Sequence, residues 1–293
     1  MAERLFLREA SLTVGPAAGG EGREWTGLRL QFTVEKTSKS STNKGKVSIF
    51  NLAPESRTFL ESDDLVAIIK AGYRDFSEVL FIGDIPKNGV TTKRQGPDIV
   101  TTIECGDGEK ALNQANLNQS WTGGVTNLQI FQAAALALGT DISIGVQKSF
   151  KKEIFGNGFA FSGMVKDLLD QLVEKQGLEW SIQNGTLQVL SKDDETGEEA
   201  VLLSPTTGLI DVPSKTEKGV NAISLLNPKI IPGRRIVIQS KQFLGALASL
   251  GGSVGDVGSG QGTFRIDKVT HVGDSDEGDW KSTVEGTTIG GGV

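Results

Sequence analysis

Apolar and polar residues alternate along most of the first third of the chain. Apolar residues occupy every second position of GLRLQFTV, from Leu28 to Val34, which predicts a strand with one buried face. The segments KVSIFNL, LVAIIKAG, EVLFIGDI and DIVTTIECGD predict further strands, each bounded by turn residues. Between the first two of these, APESRTFLES predicts a short helix with Pro54 in its first turn, where the missing N–H costs no hydrogen bond. Residues 1–110 are therefore expected to form a β barrel or sandwich.

The middle of the chain has helical periodicity. TNLQIFQAAALALG predicts a helix that is capped by Thr126 or Asn127 and ends at Gly139. SGMVKDLLDQLVEKQG predicts a second helix, with Ser162 as its cap and Gly177 as its end. The expected buried faces are Leu128, Phe131, Ala135 and Leu138 in the first helix, and Val165, Leu168, Leu169, Leu172 and Val173 in the second, with Asp170 on the opposite face.

A hairpin is predicted directly after the second helix. In LEWSIQNGTLQVL the apolar residues alternate, and Asn184-Gly185 is the strongest short-range signal for a hairpin turn. The polar segment CGDGEKALNQANLNQSWTGGVTN, which precedes the first helix, is interpreted as a crossover. Two helices and a hairpin predict a compact α+β domain over residues 111–192.

The last third of the chain returns to strand patterns. SKDDETGEEA, residues 191–200, is charged and unpatterned, which is typical of a linker. NAISLLNPKIIPGRRIVIQS predicts two strands, and the Gly- and Ser-rich residues 246–262 predict a flexible loop. Residues 200–293 are expected to form a second β domain. The predicted fold class is therefore mainly β with an α+β insert.

Composition and charge restrict the classes of function. The 293 residues carry a formal net charge of −6, which argues against nucleic-acid binding because that requires clustered Lys and Arg. The N-terminus is charged throughout, so no secretory signal is expected, and no apolar run approaches the roughly 20 residues of a membrane span. A single cysteine, Cys105, excludes an internal disulfide and fits folding in a reducing cytoplasm; it is expected to be an inert thiol.

Candidate chemistry is concentrated in residues 262–286, GTFRIDKVTHVGDSDEGDWKSTVEG, which contain the only histidine, His271. A calcium loop of the EF-hand type, counted from Asp274, would need an acid at its fifth position and a glycine at its sixth. This chain has Gly278 and Asp279 there, in the reverse order. A catalytic role for His271 would need a nucleophile and an orienting acid in a recognisable motif, and the sequence contains none. One histidine also cannot make the usual zinc cluster.

The same stretch is better interpreted as a β-hairpin. Trp280 and Val284 are expected on the apolar face of the returning strand, and His271 is expected to point outward, beside water or a partner. The acids of the connecting loop are expected to keep it solvated; they are Asp274, Asp276, Glu277 and Asp279. We therefore predict no catalytic, cofactor-binding or metal-binding residues. The tryptophans are scattered one per region, which favours core anchors over a sugar-stacking platform; they are Trp25, Trp121, Trp180 and Trp280.

Several stretches together resemble the baseplate hub proteins of phage tails. The first is LRLQFTVEKTSKSSTNKGKVSIFNLAPESRTFLESDDLVAIIKAGY with EVLFIGDI, which is similar to the strands and short helix that open those proteins. The second is the helix and hairpin of GMVKDLLDQLVEKQGLEWSIQNGTLQVL. In the last third, LNPKIIPG, GTFRIDKVTH and the WKS strand match further patterns of the family. The resemblance covers most of the chain, although residues 246–262 and the terminal GTTIGGGV depart from it.

The resemblance implies a structural virion protein and no enzyme. Such hubs are homotrimers in which each subunit carries two tail-tube-like β-barrel domains, so the trimer joins the six-fold tail tube to the three-fold spike. It implies contacts with tube, spike and other baseplate proteins, and a channel that DNA crosses without specific binding. Folding is expected in the host cytoplasm before assembly. The alternative is a carbohydrate-binding or adhesin module of a tail or cell surface, which a solvent-facing aromatic pair would favour.

Overall fold

The computed structural model describes residues 7–139, 141–240 and 260–289. Of the predicted flexible loop, residues 246–262, positions 246–259 lie outside the described residues. The last three positions belong to a strand that begins at Gly260. The described residues are mainly β, with one short helix in the first third and three helices in the middle of the chain, which confirms the predicted fold class.

The first β segment contains eight strands and one short helix. Its strands are β1 (Arg8–Pro16), β2 (Arg23–Thr26), β3 (Leu30–Thr37), β4 (Lys44–Phe50), β5 (Leu65–Tyr73), β6 (Phe76–Asp84), β7 (Val90–Gln95) and β8 (Asp98–Gly106). Helix α1 (Pro54–Leu60) begins with proline in its first turn, as predicted. Buried residues alternate along β3 because one of its faces packs against the core while the other meets solvent.

The middle segment contains three helices and seven strands. They are α2 (Glu109–Gln114), β9 (Asn116–Trp121), β10 (Val125–Thr126), α3 (Asn127–Ala137), β11 (Ser143–Gln147), β12 (Ile154–Phe155), β13 (Phe159–Met164), α4 (Val165–Glu174), β14 (Leu178–Gln183) and β15 (Thr186–Ser191). The interpretation of the polar segment before α3 as a plain crossover was wrong, because α2 and β9 lie within it. Strand β9 pairs with β13, a partner about forty residues away that a local pattern cannot reveal.

Helix ends and faces follow the sequence only in part. Thr126 caps α3 in a reciprocal capping box with Gln129, and Gly139 follows the helix with a φ of 110°, both as predicted. Leu128, however, is 38% exposed and does not belong to the buried face. Ser162 is not the cap of α4, because β13 keeps the chain extended through Met164. The hydroxyl of Ser162 donates to the side chain of Asn118 instead.

The last β segment contains six strands. They are β16 (Val201–Leu203), β17 (Ser214–Lys215), β18 (Gly219–Leu225), β19 (Arg235–Ser240), β20 (Gly260–Asp274) and β21 (Trp280–Thr288). Strands β20 and β21 form the predicted closing hairpin. Residues 192–200 contain no helix or strand, in agreement with the predicted linker. They are nevertheless tied down, since Glu195 and Glu198 form ion pairs with Arg235 and Arg234.

The two β segments join in one sheet of 14 strands. Its main path runs β17-β18-β21-β20-β3-β4-β8-β6-β5-β1-β2, and the antiparallel pair β20 and β3 connects the halves. Buried apolar residues form three clusters, one in each segment, although Leu226 and Trp280 of the last segment pack in the cluster of the first. The division into domains at residues 1–110, 111–192 and 200–293 stays a prediction.

Candidate functional site

His271 is buried rather than exposed. Its side chain is 1% exposed, and its Nδ1 lies 2.8 Å from the hydroxyl of Ser282 on the neighbouring strand. The expectation that it points outward was wrong, because the pairing of β20 and β21 shifts register between Ile266 and Lys268. Such a bulge adds one residue to one strand and reverses which side chains face the core beyond it. Ile266 and Val269 are accordingly both fully buried.

The environment of His271 keeps its ring neutral. Burial, with the nearby charge of Lys36 as a second cause, lowers the pKa of His271 to about 3. A histidine whose pKa is that low is neutral near pH 7 and does not serve as an imidazolium general acid. Among the described residues no group of three or more His, Cys, Asp or Glu side chains is arranged to hold a metal ion. His271 therefore acts as a packed core residue in this geometry.

His271 should make the stability of the protein fall in mild acid. Its folded-state pKa is lowered, so below about pH 6.5 the unfolded chain takes up a proton that the folded chain refuses, and unfolding becomes easier. Between pH 7 and pH 5 we expect this residue to reduce the free energy of unfolding by about 2 kcal/mol. His271→Asn, which preserves an acceptor toward Ser282, is the control in urea unfolding at both pH values. If the free energy of unfolding falls by the same amount between pH 7 and pH 5 in both proteins, the lowered pKa of His271 is wrong.

The acids that follow His271 are anchored to the sheet at their first member. Asp274 pairs with Arg29 at 2.7 Å and accepts from the amide of Gln31 at 2.8 Å. Burial on its own would raise the pKa of Asp274, but the hydrogen bonds from Arg29 and Gln31 outweigh it and lower the pKa to about 2. Asp274 thus fastens the loop to β3, whereas Asp276, Glu277 and Asp279 are exposed, in agreement with a solvated loop.

The cysteine and the tryptophans occupy packed positions. Cys105 is 4% exposed, and burial raises the pKa of its thiol to about 12, so it is inert as predicted. Three tryptophans are at most 9% exposed and Trp121 is half-buried against the core of the middle segment. They therefore serve as core anchors and leave no flat aromatic platform of the kind that stacks on sugars.

Polar contacts that the sequence did not predict join the three segments around the β14–β15 hairpin. Asp107, at the end of β8, is 1% exposed and accepts the backbone N–H groups of Asn184 and Gly185 in the hairpin turn, at 2.5 and 2.9 Å. Asn184 and Gly185 have φ angles of 50° and 76°, as a tight hairpin turn of this type requires. The Asn43 amide donates to the carbonyl of Ile182 at 2.7 Å. The turn is thereby fixed to the first β segment.

Lys36 completes this contact from β3. It is 2% exposed, and its ammonium donates to the side-chain carbonyl of Asn184 at 2.7 Å and lies 5.9 Å from the ring centre of Phe81. Burial lowers the pKa of Lys36 to about 8, while the charge of Asp107 acts in the opposite direction. Burial likewise raises the pKa of Asp107. Lys36 and Asp107, both buried, therefore form a polar cluster with the half-buried Asn184 between two segments.

A second set of contacts fixes the other end of the hairpin to the last β segment. Arg265 of β20 is 4% exposed; its guanidinium pairs with Asp267 at 2.6 Å and donates to the carbonyl of Ser191 at 2.5 Å. The amide of Gln188 donates to the carbonyl of Pro232 at 3.1 Å. The hairpin is thus bonded to both β segments. Its Asn184-Gly185 turn was visible in the sequence, but its partners lie tens of residues away.

Comparison with known proteins agrees with the resemblance. A family model described as "Baseplate hub gp41" matches residues 18–242. No curated protein matches the chain by sequence. None of the helices in the described residues is long and apolar enough to cross a membrane.

The fold is similar to those of several solved tail proteins. The 43 kDa tail protein of prophage MuSo2 from Shewanella oneidensis has a TM-score of 0.60 at 10% identity, with 96% of this chain and 98% of that one covered. A tail protein from Neisseria meningitidis MC58 has a TM-score of 0.61 at 11% identity, with 96% and 97% covered. The E. coli c3393 protein, described as a type VI secretion component similar to the T4 tail proteins gp27 and gp5, has a TM-score of 0.53 at 13% identity, with 90% and 74% covered.

Proposed function

The chain belongs to the baseplate hub gp41 family, and from this premise we propose that it forms a homotrimer that joins a six-fold tail tube to a three-fold spike. Membership makes it a structural component of the phage tail baseplate, and so of the virion. The proposed role adds a symmetry match to this. Three subunits with two tube-like β units each present six units to the tube and three subunits to the spike.

The observation that carries the proposal is the single 14-stranded sheet. The eight strands before the helical middle segment and the six after it are joined edge to edge by β3 and β20. A hub of this design needs two β units held at a constant angle within each subunit, and a continuous hydrogen-bonded ladder supplies that rigidity. We propose that the two units are related tube-like barrels and that the polar contacts of the β14–β15 hairpin hold the middle segment against both.

The charge of the chain supports a channel that DNA crosses without being held. The formal net charge is −6, and a like-charged wall repels phosphate groups instead of exchanging counterions with them. We propose that part of this surface lines the channel, and that tube, spike and other baseplate proteins are the partners. Folding in the host cytoplasm before assembly belongs to the same proposal.

We propose a structural rather than a catalytic role. The features that support it are the neutral, buried His271, the buried thiol of Cys105, and the carboxylate of Asp274, which is already occupied by Arg29 and Gln31. The alternative of a carbohydrate-binding module gains no support from the tryptophans, because none of them forms an exposed pair.

The trimer is tested by the native mass of the purified full chain. We expect a species with three times the 31.1 kDa of one subunit, because a three-fold adaptor must close on itself. Native mass spectrometry over a dilution series separates a specific trimer from weak association. A monomer at every concentration would contradict the proposal and would fit an adhesin module better.

A further inference from the structure

We propose that Lys36 and Asn184 form an intramolecular isopeptide bond, with Asp107 as the acid that assists the reaction. The product joins Nζ of Lys36 to Cγ of Asn184 and releases ammonia. It is a covalent cross-link between β3 of the first β segment and the hairpin turn of the middle segment. This inference rests on the chemistry of the three side chains and does not depend on the proposed trimer.

The geometry places the nucleophile beside the carbon that it attacks. Nζ of Lys36 lies 2.7 Å from Oδ1 of Asn184. Since a C=O bond is about 1.2 Å long, Cγ of Asn184 lies at most about 4 Å from the amine. A rotation about the Cα–Cβ bond of Asn184, or of the torsions of the Lys36 side chain, brings the two atoms to the ~3–3.5 Å of a near-attack arrangement.

The surroundings favour the neutral forms that the reaction needs. Lys36 is 2% and Asp107 1% exposed, and the fully buried ring of Phe81 borders the amine. Burial penalises both the ammonium and the carboxylate, and it moves the pKa of Lys36 down and that of Asp107 up. An unprotonated amine is a nucleophile, and a protonated carboxyl group is an acid that can polarise an amide carbonyl.

The reaction balances without any outside reagent. The lone pair of neutral Lys36 Nζ forms a bond to Cγ of Asn184, and the carbonyl π electrons move onto Oδ1. The amine loses one proton, which passes through Asp107 to Nδ2. The Cγ–Nδ2 bond then breaks, the carbonyl re-forms and ammonia leaves. Nothing is oxidised or reduced, and Asp107 ends in its starting state.

The position of Asp107 also opposes a competing reaction. In an Asn-Gly pair, the backbone nitrogen of the glycine can attack the asparagine side chain and close a succinimide ring. Here the N–H of Gly185 is donated to Asp107 at 2.9 Å, so attack by that nitrogen requires this hydrogen bond to be given up. Of the two nitrogens near Asn184, the structure therefore offers Lys36 as the attacking one. The bond would close a loop between positions 148 residues apart, limiting the unfolded chain as a disulfide does.

The test is the intact mass of the purified full chain, followed by peptide mapping. After incubation of the folded protein, we expect a mass about 17 Da below that of its sequence, the loss of one ammonia. A fragment spectrum should contain the peptide of Lys36 joined to the peptide of Asn184. Lys36→Met, which keeps an unbranched side chain in the buried site, and Asn184→Gly, which tolerates the positive φ of the turn, should each retain the full mass of their sequences.

Asp107→Asn tests the assisting acid, because it preserves the size of the side chain and removes the proton that is shuttled. We expect the cross-link to form at least tenfold more slowly in this variant, within the range by which a general acid accelerates a reaction. Wild-type protein that stays at full mass would overturn the proposal. A loss of ammonia without the joined peptide would also overturn it, because that result indicates a succinimide at Asn184-Gly185. So would a loss of ammonia that persists in Lys36→Met or Asn184→Gly. Asp107→Asn reacting at the wild-type rate would overturn the role of Asp107.

Discussion

Replacing Asp107 with alanine is expected to lower the free energy of unfolding by about 3–5 kcal/mol, the usual cost of removing one partner from a buried charged contact. The side chain is 1% exposed and accepts the backbone N–H groups of Asn184 and Gly185. Its loss leaves two donors without their acceptor and leaves the buried amine of Lys36 without a neighbouring carboxyl. The measurement is equilibrium unfolding in urea.

Two variants show whether the effect comes from these contacts. Asp107→Asn keeps one oxygen that accepts an N–H, so its loss should be smaller than that of Asp107→Ala. Asp63→Ala is the matched control, because Asp63 is exposed and makes no ion pair with another described side chain. We expect it to stay within about 0.5 kcal/mol of the wild type. Equal stability of Asp107→Ala and Asp63→Ala would show that the turn is held by other contacts.

Leu169→Ala is expected to destabilise the protein by about 2–5 kcal/mol. The side chain is fully buried in the cluster of the middle segment, so its removal leaves a cavity that the close-packed helix and hairpin fill only in part. The free energy of unfolding, monitored by the fluorescence of the tryptophans, measures the effect.

The control for Leu169 has to be chosen from the structure. Asp170 is exposed, as predicted, but its carboxylate accepts the indole N–H of Trp180 at 2.7 Å, so Asp170→Ala is not a neutral variant. Gln171 is exposed on the same helix and is the better choice. Gln171→Ala should remain within about 0.5 kcal/mol of the wild type. If Leu169→Ala unfolds at the same urea concentration as Gln171→Ala, the assigned buried face of α4 is wrong.

The sequence by itself determined the type and order of most elements. Alternation from Leu30 to Val34, the five-residue apolar stripe of α4 and the Asn184-Gly185 turn are each properties of a few neighbouring residues. Local patterns of this kind act through side-chain periodicity and backbone preference, which do not depend on distant parts of the chain. The same is true of the motifs that carry the family resemblance, and the family model matches residues 18–242, which include all of these motifs except GTFRIDKVTH and the WKS strand.

Tertiary structure alone decided which polar side chains meet and which face the core. The register shift between Ile266 and Lys268 turned His271 inward, and the pairing of β13 with β9 turned Ser162 from an expected helix cap into a strand residue. The cluster of Lys36, Asp107 and Asn184 joins positions 148 and 77 residues apart. These outcomes depend on strand register and on long-range pairing, because a shift of one residue exchanges the two faces of a strand, and no local window of sequence contains both partners.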